Sequence, residues 1–212
     1  MSKIALIHGN AVGIKFATRD RQTKYGSFKI FEELVDQGGA NLFGWHYVNH
    51  EFNLLKTFSI FHFRHQYFTE KKYCNSPAAF QKLADFLELK QPEKLVCHSM
   101  GCYLLLNSIN YQGISDSVRC IYLAQGDFRR GFRITHADTL NKLANGKLKI
   151  HNYYCPWDQM LFLSMLANFY LPGGMLGSED PYIKDRLFPY LDWNFHHATI
   201  RSPRFLKDVL DS

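Results

Sequence analysis

The stretch "LVCHSMGCYLLLNSI" (95–109) decides the fold prediction, because an apolar run ends at Ser99 and passes at once into a helix-like segment. A strand that turns sharply into a helix at a serine is typical of a nucleophile elbow, which exposes the serine oxygen above a parallel sheet. The usual pattern is G-x-S-x-G, and here Cys97 takes the first glycine position while Gly101 keeps the second. The alternative is that Ser99 only caps the helix that follows.

Strand-like and helix-like segments alternate on both sides of this turn. Apolar runs predict strands at 3–9, 40–48, 93–99, 118–127 and 147–155. Helical spacing predicts helices at 25–38, 76–89, 101–113, 137–146, 158–170 and 202–212, the second of them beginning with the favourable pair Ser76 and Pro77. This alternation predicts an α/β fold, with a mostly parallel sheet covered by helices on both faces.

We expect residues 1–212 to form a single domain, since no linker or repeat divides the chain. Two stretches break the alternation. Residues 50–75 are aromatic and basic, and residues 171–190 are rich in glycine and proline. We interpret them as cap or lid insertions, although 171–190 equally fits a passive surface loop.

The composition favours an ordinary globular protein, with 46% hydrophobic residues and a net charge of +6 in 212 residues. The basic residues are scattered, so the charge does not indicate a nucleic-acid site. The five cysteines show no CxxC pair and are interpreted as reduced, mostly buried thiols. With no long apolar run and no signal-peptide pattern, we expect a soluble cytoplasmic protein without an integral membrane segment.

A serine nucleophile needs a base and an orienting carboxylate, and candidates for both follow Ser99 in the chain. Asp158 lies in "CPWDQML", directly after a predicted strand and before a predicted helix. Helix capping is the alternative role for this aspartate. The adjacent His196 and His197 lie in "WNFHHATIRSPRF", and one of them would be the base.

The oxyanion of an acyl-transfer reaction needs two N–H donors, one from the residue after the nucleophile and one from an early loop. Met100 would supply the first donor. Asn10, in "HGNAVG" (8–13), would supply the second. A dinucleotide-binding loop is the rival interpretation of this segment, but the G-x-G-x-x-G spacing is absent.

The segments "IHGN", "CHSMG", "CPWD" and "FHH", in that order and each at a predicted strand end, resemble the α/β-hydrolase superfamily over nearly the whole chain. "HSMGCYLLLNSI" and "HHATIRSPRFLKDVL" are further similar to a little-characterised group of microbial serine esterases. The interval from the first histidine to Pro203 resembles the one that follows the catalytic histidine in many such hydrolases. The resemblance implies a nucleophile, an acid, a base and two oxyanion donors at Ser99, Asp158, His196, Asn10 and Met100.

The predicted function is therefore a serine hydrolase that cleaves a small carboxylic ester or thioester through an acyl-enzyme, with no metal and no cofactor. His197 is the alternative base. An amidase or an acyltransferase would use the same triad, and a non-catalytic binding domain could keep the turn without the activity. The sequence leaves the oligomeric state open.

Three other features receive structural interpretations. His46 and His50 stand four apart, but they fall in a predicted strand and turn where they would not converge on a metal. The aromatic and basic run at 58–68 could contact nucleobases or a membrane surface, and a partial cap beside the active site is preferred. A third feature is an apolar helix, whose predicted buried core, preferred to a cofactor-binding role, is Met160, Leu161, Leu163, Met165 and Leu166.

Overall fold

The computed structural model describes residues 3–9, 26–44, 60–188 and 202–211, and these form a six-stranded sheet with helices on both faces. The strands are β1 (Ile4–Ile7), β2 (Ala40–Phe43), β3 (Lys94–His98), β4 (Cys120–Ala124), β5 (Lys149–Tyr154) and β6 (Ile183–Leu187). Their order is β2-β1-β3-β4-β5-β6, and every neighbouring pair is parallel. The predicted α/β class and parallel sheet are confirmed.

The helices occupy the predicted segments and add others. A 3₁₀ segment (Gly26–Phe31) leads into α1 (Glu32–Asp36); the remaining helices are α2 (Ile60–Cys74), α3 (Pro77–Lys90), α4 (Met100–Gln112), α5 (Ala137–Ala144), α6 (Gln159–Asn168), α7 (Gly173–Leu176) and α8 (Pro203–Asp211). The start of α3 matches its prediction, because the Ser76 hydroxyl accepts a bond from the Ala79 N–H at 3.3 Å. No helix in the described ranges is long and apolar enough to cross a membrane.

Alternating side chains divide the core into two layers, one on each face of the sheet. On β1, Ala5 and Ile7 pack with α3 and α4, whereas Ile4 and Leu6 pack with Phe31 and with α8. The inner strands β1, β3 and β4 are buried along their whole length. Burial on both faces explains why these strands read as continuous apolar runs.

The stretch 171–190 departs from the prediction, because it contains α7 and the edge strand β6. Only Ile183 of β6 is buried, and Lys184, Asp185 and Arg186 are exposed. A charged edge strand resists pairing with another chain, but it lacks the apolar run by which the other strands are recognised. The described part of 50–75 is mostly α2, and a role of either stretch as a cap or lid stays a prediction.

Helix α6 also departs from the prediction. Leu161 is buried, as expected, but Met160, Leu163 and Leu166 are between 42% and 54% exposed. The prediction of a buried helix core was therefore wrong for these three residues. Periodicity shows that a segment is helical and apolar, but it does not show that something covers every side of the helix.

Candidate active site

Ser99 occupies the turn between β3 and α4 in a backbone conformation that serine rarely adopts. Its φ is 52° and its ψ is −122°, and such a conformation costs a non-glycine residue about 1–3 kcal/mol. Its N–H donates to the carbonyl of Ala124 on β4 at 3.1 Å, and its carbonyl accepts from the N–H groups of Cys102 and Asp127, both at 3.0 Å. Backbone hydrogen bonds on both sides therefore hold the strained turn.

The side chain of Ser99 does not cap α4. All of the first turn of this helix is described, and none of its N–H groups donates to the Ser99 hydroxyl. The side chain is also partly exposed, whereas His98 and Met100 beside it are buried. The capping alternative is therefore wrong for Ser99, and its hydroxyl is left available at the carboxyl end of the central strands.

Gly101 allows the turn to approach β1 closely. A Cβ at residue 101 would lie 2.4 Å from the carbonyl oxygen of His8 and 2.6 Å from that of Ile7. Gly9 makes a similar approach, since a Cβ there would lie 2.8 Å from the Cβ of Ser99. The loop that follows β1 and the turn at Ser99 therefore touch, as they must if both are to present N–H donors to one oxyanion.

Met100 is the first residue of α4, so its N–H has no acceptor within the helix. It lies directly after the serine, which is the place of the first oxyanion donor. Asn10, the second predicted donor, lies outside the described residues, as do His196, His197, His46 and His50. Among the described residues, no group of three or more His, Cys, Asp or Glu side chains could hold a metal.

A serine turn after the third of six parallel strands, packed through a glycine against the loop after β1, is the arrangement around which α/β-hydrolases are built. The chain has the α/β-hydrolase fold. No family model matches the sequence, and neither does any curated protein.

Two solved structures are similar to the chain over large parts of its length. One is a predicted CIB-like hydrolase from Thermoplasma acidophilum, 14% identical, with a TM-score of 0.41, in which 99% of this chain matches 84% of that one. The other is an extracellular α/β-hydrolase from a Paenibacillus species, also 14% identical, with a TM-score of 0.33, in which 68% of this chain matches 50% of that one. The strand order and the strained turn at Ser99 define the fold.

Asp158 lies at the same edge of this α/β-hydrolase sheet, after β5, and its side chain is only 3% exposed. Because neighbouring strands lie about 4.8 Å apart, Ser99 and Asp158 follow strands roughly 10 Å apart, with the end of β4 between them. One carboxylate oxygen accepts from the N–H of Leu161 at 2.9 Å, so the aspartate does cap α6. Capping therefore accounts for only one of its two oxygens.

Gln125 holds the other oxygen, and sequence reasoning missed this residue. Its Nε2 donates to Oδ2 of Asp158 at 2.6 Å, the side chain is 2% exposed, and the backbone has a positive φ of 46°. Each of the two carboxylate oxygens therefore accepts a hydrogen bond from a neighbouring element. The position of Gln125, directly after the run "CIYLA", was the available signal, since it follows a strand as Ser99 and Asp158 do.

The start of the 171–190 stretch is hydrogen-bonded to the loop after β4 and to the loop after β5. The N–H of Gly174 donates to the carbonyl of Gly126 at 3.0 Å, and the carbonyl of Gly174 accepts from the N–H of Cys155 at 2.9 Å. A Cβ at residue 174 would lie 2.1 Å from the nitrogen of Gly126. Glycine is therefore required where α7 joins the loops that carry Gln125 and Asp158.

A buried polar cluster lies directly behind the serine turn, and we call it the Asp127 network. Oxygens of the Asp127 carboxylate accept from the hydroxyls of Tyr67 at 2.5 Å, Ser164 at 2.6 Å and Tyr170 at 2.9 Å. The ammonium of Lys71 lies 3.5 Å from the same carboxylate. Since the N–H of Asp127 donates to the carbonyl of Ser99, the network joins α2 and α6 to the turn.

The network keeps its groups in defined protonation states. Burial raises the pKa values of Tyr67 and Tyr170 far above the usual range, and the adjacent Asp127 charge raises them further, so both remain neutral donors. Burial lowers the pKa of Lys71, and attraction to Asp127 offsets only part of that effect. Asp127 is thus committed to structural bonds within the network.

Proposed function

We propose that the protein is a serine hydrolase that cleaves a carboxylic ester or thioester through an acyl-enzyme on Ser99. The observation that carries the proposal is the strained backbone of Ser99 together with a hydroxyl that does not cap α4. Strain of this kind persists where the surrounding structure enforces it, and it is concentrated at functional sites. A turn whose only task was to start a helix would use its hydroxyl as a cap.

The proposed reaction has two halves. His196 takes the proton of the Ser99 hydroxyl as the oxygen attacks the carbonyl carbon, and the Met100 and Asn10 N–H groups stabilise the oxyanion. The bond from the carbonyl carbon to the leaving oxygen or sulfur then breaks, and the imidazolium gives its proton to the departing alkoxide or thiolate. The acyl group remains on Ser99 as an ester. In the second half, a water molecule gives a proton to the same histidine as its oxygen attacks the acyl carbon. The ester bond to Ser99 then breaks, and the histidine returns the proton to the serine oxygen as the carboxylic acid leaves.

Asp158 would orient the base and stabilise its charged form. The two donors on its carboxylate, the Leu161 N–H and the Gln125 amide, fix the plane of the group. A carboxylate whose plane is fixed directs its lone pairs in fixed directions, so the imidazole N–H of the base would be bound in a defined orientation. The proposed acid is therefore preorganised by its own loop and by the neighbouring strand end.

Labelling with a fluorophosphonate tests this proposal. The serine oxygen should form a bond to phosphorus as fluoride leaves, and peptide mass spectrometry should find the adduct on Ser99. The buried Ser108 and Ser164 serve as internal controls and should stay unmodified. If the folded protein takes up no label, or takes it up equally at exposed serines, the non-catalytic alternative is the better account.

Replacing Gln125 by methionine should lower kcat about tenfold with little change in KM, because it removes one hydrogen bond to an ionised group while keeping the volume of the side chain. The measurement is steady-state hydrolysis of an activated ester. Gln112→Met is the matched control, since that amide donates to the Phe80 carbonyl at 2.8 Å on another part of the fold. Equal losses of kcat in the two variants would contradict a positioning role for Gln125.

A further inference from the structure

Helix α6 and its flanks expose seven large apolar side chains within residues 157–171, which we call the apolar surface. Its members are Trp157, Met160, Phe162, Leu163, Leu166, Phe169 and Leu171, with exposures from 42% to 89%. No Asp, Glu, Lys or Arg occurs from residue 159 to residue 171. Elsewhere in the described residues, the exposed large apolar side chains are scattered. An apolar concentration of this kind marks an interaction surface.

The apolar surface is held firmly to the fold. On the inner side of α6, Leu161 is buried and the Ser164 hydroxyl donates to Asp127 at 2.6 Å. The helix is capped at its start by Asp158, and it ends at Phe169 in a left-handed conformation. The outward-facing apolar side chains therefore project from a fixed helix. Aromatic residues stand at both ends, with Trp157 69% exposed and Phe169 89% exposed.

Positive charge borders one end of the apolar surface. The N–H of Arg130 donates to the carbonyl of Leu171 at 2.7 Å, and Arg129 forms an isolated bridge with Pro172. Arg130 and Arg133 share one acidic partner, since they lie 3.6 Å and 3.8 Å from the Glu179 carboxylate. Glu179 and the buried Asp180, which accepts from the Ile134 N–H, offset two of the three arginine charges, so the border keeps a net positive charge.

We propose that the apolar surface docks the protein onto an anionic lipid bilayer, with α6 lying in the plane of the interface. Helices that bind in this way bury an apolar side to the level of the headgroups and gain from cationic neighbours on anionic lipid. Aromatic side chains at the ends of the segment suit the same boundary. A second copy of the chain is the alternative occupant, and the oligomeric state tests it below.

The position of the apolar surface, next to the candidate active site, indicates how docking would bring substrate to Ser99. Trp157 directly precedes Asp158, so the apolar surface begins at the candidate active site. If the proposed function holds, an ester that partitions into the bilayer reaches Ser99 along this surface. This substrate class rests on the proposed function, whereas docking itself does not.

Co-sedimentation with vesicles tests docking separately from catalysis. The Ser99→Ala protein should sediment with vesicles of phosphatidylcholine and phosphatidylglycerol, and it should sediment less with phosphatidylcholine alone. Adding Phe162→Asp and Leu166→Asp should weaken binding at least about tenfold, because two apolar anchors become charged. Arg129→Glu should weaken binding to the anionic vesicles only.

Leu89→Asp is the matched control. Leu89 is 76% exposed and lies on α3 just before β3, at the opposite edge of the sheet, so vesicle binding should not change. Failure of the folded protein to sediment with either kind of vesicle would overturn the proposal. So would a dimer in analytical ultracentrifugation that the Phe162→Asp/Leu166→Asp protein no longer forms. Vesicle binding by a wild-type protein that does not turn over esters would instead reject the proposed function and leave docking intact.

Discussion

The Ser99→Ala protein is expected to hydrolyse an activated ester about 10⁶-fold more slowly than the wild type, with a residual acceleration of about 10³-fold over water from binding and the oxyanion donors. Ser99 supplies the oxygen that forms the acyl-enzyme, and alanine has no atom to replace it. The fold should remain intact, because the hydroxyl makes no capping bond in α4. Steady-state kinetics on p-nitrophenyl esters, with circular dichroism for folding, make the measurement.

Two further variants make this test specific. Ser108→Ala removes a buried serine hydroxyl that accepts from Gln112 at 3.0 Å, and it should leave kcat unchanged. Ser99→Gly should be inactive and about 1 kcal/mol more stable, since glycine adopts a positive φ without strain. Full turnover by Ser99→Ala would contradict the proposed nucleophile.

The same assay decides between the two histidines. His196→Ala should lose nearly as much turnover as Ser99→Ala, because a triad acts as a unit. His197→Ala should keep most of its activity. A reversed pattern would move the base to His197 and keep the rest of the scheme.

Replacing Lys71 by methionine is expected to lower the free energy of unfolding by about 3 kcal/mol. The buried Asp127 carboxylate would keep its hydroxyl donors but lose the cation 3.5 Å away. The Lys71 ammonium also lies 4.8 Å and 4.5 Å from the ring centres of Tyr103 and Tyr170. Urea denaturation followed by circular dichroism gives the change.

Lys142→Met is the control for this prediction. Lys142 pairs with Asp116 at 2.6 Å, but the Asp116 side chain is 94% exposed, so solvent screens the pair and the free energy of unfolding should change little. The double variant Lys71→Met/Asp127→Asn should recover part of the stability, since it no longer buries an unbalanced charge. If the Lys71 and Lys142 variants lose equal stability, the Asp127 network is not the buried ion pair described above.

The backbone of the fold was predictable because its signals are local. Each predicted strand is a short apolar run, and the runs that lead to Ser99, Asp127 and Asp158 are close in sequence to the helices that follow them. Ser76 and Pro77 likewise indicate the start of α3 from neighbouring residues alone. Strand β6 escaped prediction because an exposed edge strand needs only one buried residue, Ile183. Its charged side chains are typical of a loop as well.

The sequence singled out individual residues of the candidate site but not the contacts between them. Ser99 and Asp158 stood out because each follows a strand with a chemically useful side chain. The amide of Gln125 and the partners of Asp127 did not, because their roles depend on residues 33 to 60 positions away. Which side of α6 meets solvent also depends on the packing of distant segments.

The Asp127 network links folding to the order in which segments of the chain leave the ribosome. Its hydrogen bonds join residues that are up to 101 positions apart, from Tyr67 to Asn168. On the ribosome, α2 and the turn at Ser99 emerge well before Ser164 and Tyr170, and these long-range closures come late in folding. Until these contacts form, Asp127 and Lys71 lack most of the partners that they have in the folded protein. A chaperone would therefore have its greatest effect in that interval.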